Sequence, residues 1–363
     1  MVAAQISALA TPTLPTGREE AWRFTPLPRI IGMLDGSIEQ GKSLVANLSS
    51  PEGVQISTKP AGAPLSVPAD FAATLAISKA SDVLTIEIPA DLETSEPIVI
   101  DRVGASLTEV NFERVLIRAG RHSQATVILH NSGSAILAED VEVELADGAH
   151  LTFISLQEWE NNATHLGRHQ AVIGKDAKLT LIEVTLGGAT VRLLPRINFL
   201  ATGGEVDAYG LYFATSGQHL EHRVHVEHDT PHCRSRVTYK GALLGESART
   251  VWFGDVAIRP TAVGTDTYEL NRNLLLSDGA RADSVPNLEI ETGEIVGAGH
   301  ASATGRFDDD QLFYLMSRGI PATEARRLVL RGFFAELLRN IKIETIEERL
   351  MARIDRELSQ VNA

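Results

Sequence analysis

Between Leu84 and Val296, short segments alternate apolar and polar residues with period 2, and no convincing helical pattern intervenes. Residues 84–88 (LTIEI), 110–115 (VNFERV) and 141–145 (VEVEL) show it best. Such alternation suits half-buried strands, because successive side chains of a strand point to opposite faces. The breaks carry turn chemistry: Asp147 with Gly148, Gly174 to Asp176, Gly203 with Gly204, and Asp278 with Gly279. A weak repeat lies inside this run. Residues 148–152 (GAHLT) resemble 176–180 (DAKLT), Leu151 and Leu179 stand 28 residues apart, and Val206 follows Leu179 by 27. A turn, a small residue and alternating apolar positions at that period fit the coils of a solenoid, each coil stacking its inward residues on the next. A β-sandwich also gives short strands with frequent turns. The period favours the solenoid and leaves the sandwich open.

The flanks differ in texture. Residues 1–80 are mixed, with apolar clusters broken by Pro26, Pro28, Pro51, Pro60, Pro64 and Pro68; a helix and a turn fit between Gly17 and Leu34, and loops and marginal elements fit the rest up to Asp70. After Gly305 the apolar period becomes helical. Asp308, Asp309 and Asp310 are N-cap candidates. Leu312, Phe313, Leu315 and Met316 make a first stripe, ended by Gly319 and Pro321. Leu328, Leu330, Phe333, Phe334, Leu337, Leu338 and Ile341 make a wide second one, and Ile343, Ile346, Leu350, Ile354 and Leu358 a third. These faces must pack on the body or on a partner. The expected division is 1–80, 81–300 as the β region, and 301–363 as a helical domain.

Composition excludes several classes. The net charge of −14, with no Lys/Arg cluster, argues against nucleic acid and against an anionic membrane surface. A single cysteine, Cys233, rules out an internal disulfide framework and a multi-thiolate zinc site. There is no secretory-signal pattern and no apolar run of about 20 residues. The expected compartment is the cytoplasm.

Residues 36–43 (GSIEQGKS) match the phosphate-binding loop pattern, with Gly36, Gly41, Lys42 and Ser43 in place. Such a loop needs a strand before it and a long helix after it, whose backbone N–H groups and dipole hold the phosphates. Only seven residues separate Ser43 from Pro51, and no parallel α/β alternation follows. A surface turn is the better reading, with a P-loop nucleotide-binding protein as the alternative.

Four segments together carry a resemblance: residues 18–27 (REEAWRFTPL), 268–277 (YELNRNLLLS), 286–290 (PNLEI), and 299–305 (GHASATG) followed by 310–320 (DQLFYLMSRGI). In them the chain resembles the SufB/SufD family of iron–sulfur cluster assembly proteins, over about residues 18–341. The resemblance implies a mainly β fold, a right-handed parallel β-helix with a C-terminal helical domain. It implies a non-enzymatic scaffold that pairs with a SufB-like paralogue through the β-helices and binds a SufC-like ABC ATPase through the helical domain. No cofactor would be held permanently; a nascent iron–sulfur cluster would be shared transiently with the SufB-like chain. The residues 22–26 opening is similar to the SufD branch, and Asn271 stands where the SufB branch carries a cluster-building cysteine. A SufB-like scaffold homodimer, or a homodimer of the chain when alone, is the alternative within the family. A β-helical carbohydrate-active enzyme would need clustered carboxylates and sugar-stacking aromatics, and three Trp and five Tyr offer few of the latter.

The resemblance singles out His300 as a cluster ligand facing the SufB-like partner, in a segment where Ala298 occupies a position that often carries cysteine. From the residues themselves, His219, His222, His225, His228 and His232 precede Cys233 within fifteen positions. Imidazole and thiolate suit iron or zinc. On a strand, His222 and His228 share one face and His219 and His225 the other, so not all can reach one ion. The candidate cluster or metal residues are therefore His300, His222, His228, His232 and Cys233, against a bland reading as buried or hydrogen-bonded side chains. Leu328, Phe333, Phe334 and Leu337 are the candidate contacts to the ATPase, against simple self-packing.

Overall fold

The computed structural model describes residues 13–306, 309–341 and 344–361. Asp308 and Ile343 lie outside the described residues, as do the side chains of Asp309, Asp310, Ile341, Ile346 and Leu350. A 3-10 turn, Glu20–Trp22, and helix α1 (Leu27–Leu34) come first, followed by β1 (Val45–Ser49), β2 (Gln55–Pro60), helix α2 (Phe71–Lys79) and β3 (Asp82–Ile88). Two long strands follow, β4 (Ile98–Ala119) and β5 (Gln124–Leu145). Then come β6 (His150–Trp159), β7 (Thr164–Ile173), β8 (Lys178–Thr185), β9 (Thr190–Phe199), β10 (Glu205–Ala214) and β11 (His219–His228). The series ends with β12 (Arg234–Leu243), β13 (Arg249–Ile258), β14 (Asp266–Leu275), β15 (Arg281–Ile290) and β16 (Gly297–Arg306). Helices α3 (Asp309–Ser317), α4 (Ala322–Ile341) and α5 (Glu344–Val361) finish the chain.

The strands form a parallel β-solenoid of about eight turns, not a sandwich. Even-numbered strands β6 to β16 pair in sequence order along one wall, and odd-numbered strands β5 to β15 along the other. The repeat read from the sequence is the coil itself: Leu151 pairs with Leu179, and Leu179 with Val206. The corners are the turn residues already named, with Gly148 and Gly203 at φ 66° and 77°, where a side chain would be strained. Inward residues such as Ile100, Val127, Leu151, Leu181, Val206 and Val237 build one continuous apolar core.

Each outer wall is covered by one flank. Trp22, Ile30, Met33, Leu34, Ala72 and Ala76 pack over Val110, Ile136, Ala138 and Leu166. Arg192, fully buried, ties this layer down: it bonds Asp70 at 2.8 Å and lies 4.0 Å from the centre of the Trp22 ring. Residues 45–60, expected as loops and marginal elements, contain two short strands. β1 pairs with β4 and β2 with β3, both antiparallel, so one edge of each is satisfied by pairing that spans tens of residues of sequence. Helix α2 leaves little trace in the sequence because its apolar residues show little helical periodicity, although Asp70 caps it by accepting from the backbone N–H groups of Ala72 and Ala73.

The phosphate-loop match does not fold as a phosphate cradle. Ser43 leads into strand β1 rather than a helix, and a Cβ on Gly41 would sit 1.9 Å from the Glu109 carboxylate, an anion where phosphate would have to approach. Lys42, exposed, stands 3.7 Å from Asp82.

The other outer wall carries α4 and α5. Leu330, Phe334, Leu337, Leu338, Met351, Ile354 and Leu358 pack against Ile154, Leu156, Ile182, Val184, Leu211 and Phe213. Two of the four expected ATPase contacts, Phe334 and Leu337, are thus used up in self-packing; their faces contact the chain's own sheet. Phe333 is half-buried and Leu328 is 40% exposed. Phe313, Tyr314 and Met316 of α3 are also exposed.

Candidate functional site

The lumen of the solenoid is not purely apolar. Arg102 on β4 bonds both Asn131 and Glu139, and Asn131 bonds Gln157. Glu139, fully buried, also meets His165 Nε2 at 2.7 Å and His169 Nε2 at 3.5 Å; His169 Nδ1 lies 2.7 Å from Glu183, which accepts from the Tyr239 hydroxyl at 2.8 Å. Burial by itself would raise the Glu139 carboxyl, but Arg102 and His165 outweigh it and hold the group well below its usual range. Burial would depress His169, yet its bonds to Glu139 and Glu183 win and raise it to about 9.

Farther along, Tyr212 donates to Asn273 at 2.7 Å and accepts from Asn271 at 2.9 Å; Asn271 also accepts from Ser284. The two tyrosines fit because each faces a glycine on the neighbouring coil, Gly210 beside Tyr239 and Gly241 beside Tyr212. A Cβ at either glycine would come within 1.9 Å of the ring. Polar groups therefore run from the first coils to Thr304 in the last strand, which Asn273 reaches at 3.4 Å. Little of this was legible in advance. The signal is present as polar residues at alternate, inward positions in β14 (Thr267, Glu269, Asn271, Asn273), but alternation alone does not say which of them meet across coils.

The candidate ligands are dispersed. His222 faces the lumen, stacked on Tyr212 with centroids 5.1 Å apart, and its Nε2 lies 3.1 Å from Thr185 Oγ1. His228 faces the same way six residues on, about 20 Å farther along the strand. It stacks on Phe199 and bonds Ser235. Burial pushes both imidazoles down to about 4, so both are neutral at pH 7. His232 is exposed in a turn at φ 58°. Cys233 is buried in the main core beside Thr230 and the Ala201 carbonyl, and burial pushes its thiol up, away from thiolate. The outward pair is also engaged: His219 with Glu221, and His225 with Asp255. Among the described residues, no three His, Cys, Asp or Glu side chains are grouped to hold a metal ion.

His300 is different. It is exposed on β16, the last strand of its ladder, and β15 is the last of the other; neither contains a buried residue. Ala298, two residues earlier, packs on the main core, so His300 shares its inward face. Directly beneath it in register is Glu269 of β14, which is 1% exposed. Burial, with Asp255 adding a like charge, pushes the Glu269 carboxyl up to about 8. Between 4.5 and about 8 the folded chain thus keeps a proton that the unfolded chain has released, and stability falls as pH rises through that window. Glu269→Gln removes this cost. We expect it to raise the melting temperature by roughly 5 °C at pH 8 and scarcely at all at pH 5. An equal shift at both values would refute the assignment of the proton to Glu269.

Known proteins share this architecture's sequence. The family model described as SUF system FeS cluster assembly, SufBD core domain, matches residues 102–333. The chain is 48% identical over 355 residues to the iron-sulfur cluster assembly SufBD family protein Rv1462 of Mycobacterium tuberculosis, an alignment that covers 95% of this chain and 89% of that relative. It is 27% identical over 380 residues to the iron-sulfur cluster assembly protein SufD of Escherichia coli, with the same two coverages, and 29% identical over 281 residues to SufD of Bacillus subtilis, covering 75% and 63%. Both the solenoid and these matches lead to one conclusion: the chain belongs to the SufBD family of SUF-system iron–sulfur cluster assembly proteins.

Proposed function

We propose that the chain is a scaffold subunit of the SUF complex, without turnover of its own, that docks a SufB-like solenoid on its last coil and a SufC-like ATPase on its C-terminal helices. The observation that carries this reading is the uncovered end of the solenoid. Strands β15 and β16 each leave a row of backbone N–H and C=O groups without a neighbouring strand among the described residues. Ile290 and Val296 stand there 48% and 76% exposed. An unprotected parallel edge with apolar residues invites continuation by another chain's strands, and a sister solenoid has the matching coil. His300 would then face the joint, where a nascent iron–sulfur cluster passes as cargo. For the ATPase, the exposed Phe313, Tyr314, Met316 and Leu328 replace Phe334 and Leu337 as the apolar contacts.

The test is co-expression with SufB-like and SufC-like chains. The pair Ile290→Lys with Val296→Lys is expected to release the SufB-like chain and keep the ATPase. The pair Phe313→Ala with Tyr314→Ala is expected to do the reverse. If both pairs leave the complex whole, the assigned surfaces are wrong. If the lysine pair only disperses a dimer of this chain, the joint is homotypic.

A further inference from the structure

Glu269 lacks any partner on its inward face. Neither carboxylate oxygen has a hydrogen-bond partner among the described residues, although the side chain is 1% exposed. Its neighbours on the same face of β14 are all engaged: Asn271 with Tyr212 and Ser284, Asn273 with Tyr212 and Thr304, and the Thr267 hydroxyl with Ser235. Glycine at 254 leaves room for both the Trp252 ring and this carboxyl: an added Cβ would lie 2.3 Å from the ring and 2.7 Å from Glu269 Oε1. Burying a carboxyl with no partner is unfavourable even when it is neutral, a cost that a leucine or a glutamine with partners would avoid. A group so placed is stabilised by whatever brings it a positive charge.

Position supplies the rest. His300 is the residue paired with Glu269 on the next strand, on the same inward face, and adjacent strands stand about 4.8 Å apart. At that spacing, stacked side chains can reach one ion. We infer that Glu269 is an iron ligand of this chain: one of its carboxylate oxygens and an imidazole nitrogen of His300 form a two-point subsite for a ferrous ion at the uncovered end of the solenoid. This inference rests on the reading of His300 given above. Oxygen and imidazole donors suit ferrous iron. Coordination displaces the Glu269 carboxyl proton to solvent. Two protein ligands hold the ion loosely, so water and side chains of the docked solenoid complete its shell. Loose, shared ligation fits a cargo ion that must leave again.

The complex with the SufB-like and SufC-like chains tests it, purified anaerobically with wild-type chain, Glu269→Gln or His300→Ala. Each preparation is titrated with ferrous ion, desalted and assayed for bound iron. Cobalt(II) absorption provides a second readout, and a melting curve of each isolated variant checks its folding. Glu269→Gln is expected to weaken retention of the ion by at least about tenfold, as His300→Ala does, while subunit composition stays unchanged. If Glu269→Gln retains iron like the wild type and His300→Ala does not, the glutamate is no ligand and the histidine reading survives. Wild-type retention in both variants overturns the subsite and the histidine reading together.

Discussion

Glu139→Ala is expected to be the most destabilising single change in the lumen, at about 3–5 kcal/mol. Glu139 is the acceptor for Arg102 and stands within hydrogen-bond reach of His165 and His169, with all four side chains 3% exposed or less. Taking away the one carboxylate leaves a buried guanidinium and a protonated His169 short of compensation. Glu183 still holds His169 at 2.7 Å, which keeps the loss finite. The check is a denaturant midpoint by circular dichroism. A loss under about 1 kcal/mol would mean that water, rather than Glu139, satisfies Arg102.

The pH profile gives a second, independent reading of the same network. His169 is raised from 6.5 to about 9, so its contribution is fully present below pH 6.5 and is lost as pH rises through about 9. In Glu139→Ala that decline flattens, because less of the charge that raised His169 remains. An unchanged profile would place the titrating group elsewhere.

Phe334→Ala should cost about 3–5 kcal/mol as well, but locally. The ring is fully buried between the chain's helices and the outer wall of the solenoid, beside Leu330 and Leu337 and against Ile182, Val184 and Phe213. The coils pair with one another through backbone ladders and do not depend on α4. The expected result is therefore detachment of α4 and α5, seen as faster hydrogen exchange and protease cleavage in residues 322–361, with the strand signal intact. Cooperative loss of the whole fold would show instead that the helices are integral to the body. Lys240, whose ammonium meets Glu336 at 2.7 Å and the Phe333 carbonyl at 3.1 Å, is a weaker anchor for the same layer, since Glu336 is 64% exposed.

What was legible in the sequence was local and periodic. Alternation of period 2 located strands such as β3 and the ends of β4 and β5, and the 28- and 27-residue spacings located the coil. Both survive because a strand's side-chain alternation and a corner's glycine are set by a few neighbouring residues. Residues 299–305 and 268–277 carried enough resemblance to point to the family. Chemistry that depends on stacking between coils was not legible. Nothing near Glu139 in the chain announces Arg102, 37 residues earlier, or His165, 26 later. Nor does residue order show that Glu269 lies under His300.

The histidine run shows the same divide from the other side. Sequence placed His222 and His228 on one face, and they do share it, yet that face is a packed lumen where each ring stacks on an aromatic from another strand. The stripe from Leu328 to Leu337 suits either a partner or self-packing by sequence alone, and the body's own wall claims Phe334 and Leu337. The chain by itself thus determined the strands of its coils, its corners, coil length and kinship, because short-range sterics and periodic burial act within one coil. Tertiary structure decided which polar groups meet, which apolar faces are spent inside, and which edge is left uncovered. Those depend on what one coil finds in the next, at separations along the chain that no local pattern records.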